Sequence, residues 1–243
     1  MFKNIFIFIF GVLVTVERGR TAITPLDAID DAEAALNQLR EAVSTGLTNA
    51  FGIYTNASQV IDSTIITTRA NGSEVITTKS DEYVSQYEAI VQSAEQAGAD
   101  ISVCVDHFEN LIKNLGPENV EGLIGCVEQL IDAPITDIYS ASTALATYHL
   151  KFIYDHEKQI VVCGKSDTTC LNNVISSIGR TISQVTSRIE YTARADITRL
   201  QLYVSKLTSC GDQYVSINEG KGKSLITSFQ DCVDSYSYMD NHN

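Results

Sequence analysis

Apolar and small residues recur every three or four positions along almost the whole chain, which is the period of a helix face packed against a partner. From Thr24-Pro25-Leu26-Asp27, a combination of cap, first-turn proline and first-turn acid, the stripe runs through Ile29, Ala32, Leu36, Leu39, Val43, Gly46, Ala50 and Ile53 with no proline in the way. A second stripe opens at Ser80 and steps alternately by four and three through Tyr83, Tyr87, Ile90, Ala94, Ala97, Ile101, Cys104, Phe108, Leu111 and Leu115. That alternation is the seam of a long packed helix, about 54 Å of rod at 1.5 Å per residue. Asn114-Leu115-Gly116-Pro117 should stop it.

A third helix is expected from Glu118, with Val120, Leu123, Ile124, Val127, Leu130 and Ile131 on its face and a break or kink at Ala133-Pro134. The pattern resumes at Ile138, Leu145, His149, Phe152 and His156 and ends at Cys163. A fourth begins after Gly164 with Leu171, Ile175, Ile178, Ile182, Val185 and Ile189. It then steps by an extra four to Ala193, Ile197, Leu200, Val204 and Leu207, a stutter that unwinds a supercoil locally. A last, short helix is expected from Lys223 past Cys232.

Residues 63–79 read two ways. Thr64-Ile65-Ile66-Thr67-Thr68 and Val75-Ile76-Thr77-Thr78 flank Asn71-Gly72, as in a β-hairpin; the helical neighbours favour a helix–turn–helix with β-branched ends. The predicted fold is all-α: an elongated antiparallel up-down bundle of four long helices plus a short C-terminal helix. The chain divides into 1–22 (targeting segment), 23–79 (N-terminal helical segment) and 80–243 (six-cysteine helical domain).

The targeting segment is read from Ile5 to Val16, an unbroken apolar run behind Lys3. It is shorter than the roughly 20 residues a spanning helix needs and suits a secretory signal; an uncleaved anchor is the alternative. The Glu17–Ala22 region is unusually charged for a cleavage region, which leaves the cleavage position open. The formal charge of −13 excludes nucleic acid as an expected partner, and no integral membrane association is expected after cleavage. Asn56-Ala57-Ser58 and Asn71-Gly72-Ser73 are glycosylation sequons, with Asn71 expected at an exposed tip.

Six cysteines, Cys104, Cys126, Cys163, Cys170, Cys210 and Cys232, are an even set for a secreted chain. The gaps of 104–126 and 210–232 are equal. Each outer pair brackets glycines, and residues equidistant from the turn of a helical hairpin face each other. That geometry predicts bridges 104–126, 163–170 and 210–232, each stabilising by about 2.5–3.5 kcal/mol. The framework, with Val162-Cys163 and Thr169-Cys170 at its centre and hydrophobic heptads between the cysteines, resembles the TsetseEP domain family of insect secreted proteins over about 102–233. The resemblance implies a secreted, helical, often gut-associated protein and brings no catalytic activity with it. The Glu-Pro tail of the family's namesake is absent, since the chain has only Pro25, Pro117 and Pro134.

Chemistry-bearing patterns are sparse. Gly164-Lys165-Ser166 and Gly222-Lys223-Ser224 echo the end of a phosphate-binding loop, but the glycine five residues earlier is Gln159 in one and Ile217 in the other. His149 and His156 lie two turns apart on one helix face, too far for paired metal ligation, and read as structural. No cofactor and no catalytic residues are expected. Tyr83, Tyr87, Phe108, Tyr148, Phe152 and Tyr154 weigh as core aromatics against a ligand pocket, with Tyr87, Phe108 and Phe152 the candidate lining. The expected function is a non-enzymatic interaction or structural role outside the cell, in an insect gut or other epithelial lumen; the alternative is a carrier of a small apolar ligand between the helices.

Overall fold

The computed structural model describes residues 28–165 and 167–240, the side chains of 237–240 excepted. The targeting segment and the Thr24-Pro25 helix start therefore lie outside the described residues. Five helices follow in order: α1 (Ala28–Gln96), α2 (Ser102–Lys113), α3 (Leu115–Glu128), α4 (Asp132–Cys163) and α5 (Thr168–Asp240). No strand occurs among the described residues.

These five helices make three rods, not four. α1 and α5 are each unbroken, about 100 Å long at 1.5 Å per residue. The middle rod is α2, α3 and α4 end to end. α1 and α5 run parallel: Asn49 bonds Glu190 at 2.6 Å, Tyr54 bonds Asp196 at 2.7 Å and Ser80 bonds Asn218 at 3.0 Å, all at sequence separations near 140. The middle rod runs against both, as Arg40–Glu157 and Arg69–Glu128 show toward α1 and Tyr203–Asp137 toward α5.

The departures from expectation have local causes. Residues 63–79 are neither hairpin nor helix–turn–helix. Ile61, Ile65, Gly72, Ile76 and Ser80 continue the buried stripe of α1, and packing outweighs the β-branched preference. Gly72 is not a turn residue: a Cβ there would stand 2.6 Å from Leu123 Cδ2, so the glycine lets α3 approach. Ser80 does not open a helix. Its side chain turns inward to Asn218.

The real reversal lies at residues 97–101, inside the stretch expected to be one helix. Gly98 is left-handed (φ 74°). Its N–H donates to Glu95 O at 3.0 Å, and that of Ala99 to Ala94 O at 3.1 Å, a Schellman ending. Asp100 Oδ1 then accepts from the Ser102 N–H at 3.1 Å, which starts α2.

Pro117 and Pro134 sit in the first turns of α3 and α4, where a missing N–H costs nothing. They mark joints in a descending rod. Asn114 alone separates α2 from α3, so Gly116-Pro117 is no reversal. Gly220-Lys221-Gly222 is helical throughout, and the short fifth helix is simply the end of α5. The Tyr83 ring lies where a Gly222 side chain would be. The second true turn is Gly164 (φ 63°), closed by Asp167, whose carboxylate caps α5 through the Cys170 N–H at 2.9 Å.

The disulfides follow this topology. Cys163–Cys170 spans the turn as expected. The other two are Cys104–Cys232 and Cys126–Cys210, which corrects the expected 104–126 and 210–232. Cys210 and Cys232 are on one helix, about 33 Å apart, far outside the roughly 7 Å limit for a bridge. All three bridges are nested about the single turn at Gly164 and fasten the middle rod to α5.

Two apolar cores result. The long one runs from Ala32 and Leu171 to Ile76 and Cys210. The short one holds Tyr87, Ala94, Ile101, Cys104, Ile112, Phe229 and Val233. Between them each rod contributes one buried polar side chain. Asn218 Oδ1 accepts from Ser80 Oγ at 3.0 Å and from Asn119 Nδ2 at 3.2 Å, while Asn218 Nδ2 donates to Ile76 O at 3.3 Å.

Candidate binding groove

The aromatic residues expected to share a pocket do not meet. Tyr87 and Phe108 both pack on Phe229, with ring centroids 4.7 and 5.8 Å away, in the short core. They fill space rather than line it. Phe152 lies in α4 against the long core, beside His156 at 4.6 Å. The two sets stand on opposite sides of the polar layer, because the reversal at Gly98 places Phe108 at the far end of the molecule.

Phe152 does line a groove, but with different companions. α4 supplies Leu145, Tyr148, His149 and Phe152; α5 supplies Arg180, Val185, Arg188, Tyr191 and several Ser, Thr and Gln side chains. The space is about 1110 Å³ and open to solvent on one side. It exists because the helix faces that hold α4 and α5 in the bundle are occupied mainly by the core with α1, which leaves a furrow on the outer side. Leu145, His149 and Val185 are buried in its floor. Tyr148 and Tyr191 rise from the two walls, 67% and 75% exposed.

The groove carries no Asp, Glu or Lys in its lining. Residues 168–189 hold two arginines and no acid, in a chain with 30 acidic residues. Arg180 and Arg188 are exposed, and neither has an ion-pair partner among the described residues. The neighbouring carboxylate on the α4 side, Asp155, is held by Lys151 at 3.3 Å. That acid-free stretch was the sequence signal for the groove. It pointed nowhere until the fold showed which side of α5 faces α4.

His149 and His156 are both buried. Burial lowers the pKa of His149, so the floor of the groove is uncharged at neutral pH. His156 Nδ1 meets Phe152 O at 3.0 Å, which makes Nδ1 the protonated nitrogen. Its Nε2 finds no partner among the described residues.

The remaining sequence candidates are placed as follows. Asn56 and Asn71 are exposed, both in mid-helix and not at a tip. Asn71 stands on a shallower furrow between α1 and α5 with Thr68, Val75, Thr208 and Asp212. Gly164-Lys165 belongs to the disulfide-closed turn, and Gly222-Lys223 is plain helix. Among the described residues no cluster of three His, Cys, Asp or Glu could hold a metal ion, and no helix is long and apolar enough to cross a membrane. No family model, no curated protein and no solved structure matches this chain.

Proposed function

We propose that the chain is a secreted, non-enzymatic helical protein of an insect gut or comparable epithelial lumen, working through contacts along its rod. The observation that carries this reading is the nested bridging. Cys104–Cys232 and Cys126–Cys210 fasten two rods at two depths, and every described cysteine is bonded. Such bridges form and persist in oxidising compartments. The exposed sequons at Asn56 and Asn71 agree with that compartment. The test is expression of the full chain, with its own amino terminus, in insect cells. Protein should appear in the medium with no free thiols and with a glycosidase-sensitive mass. Retention in the cytosol with reduced cysteines would overturn the reading.

A second reading, a carrier of a small apolar ligand, is favoured by the α4–α5 groove alone. The aromatic cluster of Tyr87 and Phe108 gives it no support, because Phe229 fills the space between them.

A further inference from the structure

We propose that the α4–α5 groove takes a single-chain amphipathic anion, a long-chain carboxylate of the fatty-acid class; the inference rests on the carrier reading and names its ligand. The apolar part of such a ligand has a bed in Leu145, Phe152 and Val185, which together with buried, uncharged His149 form a continuous floor. Arg180 and Arg188 supply the head-group contact. A guanidinium without a carboxylate partner is a ready bidentate donor to one.

The position of these groups along the rods fits one extended chain. Antiparallel register places Tyr148 of α4 level with Arg188 and Tyr191 of α5, and Arg180 about 12 Å further toward the Gly164 turn. A carboxylate at Arg180 therefore directs its chain past Phe152 and Val185 to the tyrosine pair; one at Arg188 directs it the opposite way over the same floor. The rings of Tyr148 and Tyr191 are large, exposed and amphipathic. They can fold over the chain from both walls while keeping their hydroxyls in water.

Charge selects the sign of the ligand. The protein as a whole repels anions, at −13, so a neutral or cationic amphiphile would be favoured by the general field. Only the local pair of arginines, in a lining free of Asp and Glu, reverses that preference. Anion selectivity is therefore a property of this groove and not of the protein surface at large.

The experiment uses the full oxidised protein and equilibrium dialysis against radiolabelled oleate and, separately, oleyl alcohol, both below their aggregation limits. The expected result is one oleate per chain, bound at least tenfold more tightly than the alcohol. The double variant Arg180→Gln/Arg188→Gln should lower oleate affinity at least tenfold and leave the alcohol unchanged. Phe152→Ser combined with Tyr148→Ser should weaken both ligands, with helix content checked by circular dichroism. Equal binding of oleate and alcohol, untouched by the double arginine variant, would overturn the anion assignment and leave a carrier standing. Oleate binding indifferent to the Phe152 and Tyr148 changes would overturn the location. Binding of neither ligand would remove the carrier reading together with this inference.

Discussion

Removing the outer bridge tests the three-rod topology most directly. In Cys104→Ala/Cys232→Ala the chain loses a link between residues 128 apart in sequence. Taken alone, a loop of that length corresponds to about 5 kcal/mol of denatured-state entropy. The bridge is not alone. Cys126–Cys210 already ties the rods 22 residues further in on each, so the outer bond closes a loop of only about 44 residues. The chain-entropy estimate falls to about 4 kcal/mol. Urea titration at pH 7 should show a loss of about that size, together with a larger urea dependence as the denatured state expands. A cut in the middle rod gives the qualitative counterpart. A protease site inserted between Gln129 and Leu130, in the joint between α3 and α4, severs the chain where helix is already interrupted. Both Cys104–Cys232 and Cys126–Cys210 straddle that cut. The cleaved protein should run as one band without reductant and as two with it, even in the Cys104/Cys232 double variant. Two bands without reductant would mean local pairing along the rods and would refute the fold. A loss below about 1 kcal/mol would refute the entropy argument.

Three further outcomes follow from single positions. Gly220 lies in mid-helix with open space around it, so Gly220→Ala should stabilise by about 0.5–1 kcal/mol; Gly222→Ala, against the Tyr83 ring, should destabilise by about 1–3 kcal/mol, and thermal melts of the pair distinguish helix from turn at this site. Asn218→Ala removes the acceptor of Ser80, one of the two acceptors of Asn119 and a donor to Ile76 O, and should cost about 1–3 kcal/mol in urea titration, whereas a loss near zero would mean that water replaces the amide without penalty. Burial holds the folded pKa of His149 below its ordinary 6.5, so the unfolded chain binds more protons between that depressed value and 6.5; stability should fall as pH drops through 6.5, and His149→Leu should flatten the profile between pH 7 and 5.5.

The helical class and most of the buried stripe were readable because a 3.5-residue alternation survives in Leu36, Leu39, Val43, Ile178, Val185 and Ile189. Where reversals fall was not, and the reason is that glycine has two uses here. Gly98 and Gly164 bend the chain by adopting positive φ; Gly72, Gly116, Gly122 and Gly222 let another helix approach. Sequence alone does not separate the two. Ala97 and Ile101 keep the apolar period running straight through the real turn, which masks it in the sequence. The cysteines were more legible than the hairpin rule allowed. Twenty-two residues make about six helical turns, so two cysteines at that spacing return to nearly the same face of one helix. Equal spacing on both sides of a central turn is therefore the mark of two rungs between antiparallel rods. Equidistance from a turn does govern the pairing, about Gly164 rather than about Gly116 or Gly220. The groove was illegible for another reason. It depends on which side of α5 is taken by α1, and that follows from the parallel α1–α5 register, which no local pattern announces.

Covalent and non-covalent locks hold different pairs of rods. Every disulfide joins the middle rod to α5, and none touches α1. α1 has no cysteine; the turn at residues 97–101 ties one end of it to the middle rod, and the rest of its length finds its place by side-chain chemistry. A repeating apolar seam is weak at this, because shifting α1 by one heptad along α5 would bury nearly the same surface. The polar layer removes that freedom. Ser80 reaches Asn218 in one register, and Gly72 faces Leu123 and Gly116 faces Ser80 in that same register. Tyr54 adds a second pin, donating to Asp196 at 2.7 Å about 40 Å along the rod. Displacing α1 would take Ser80 Oγ and the Ile76 carbonyl away from buried Asn218 and leave its amide short of partners, at about 1–3 kcal/mol. The staples fix two rods by bond; Asn218 makes the third one's alternatives costly. The groove inherits its shape from both, since Cys163–Cys170 ties α4 to α5 at the turn and the other two bridges hold α2 and α3 to α5, while α1, fixed in register, occupies the inner faces and leaves the outer furrow uncovered.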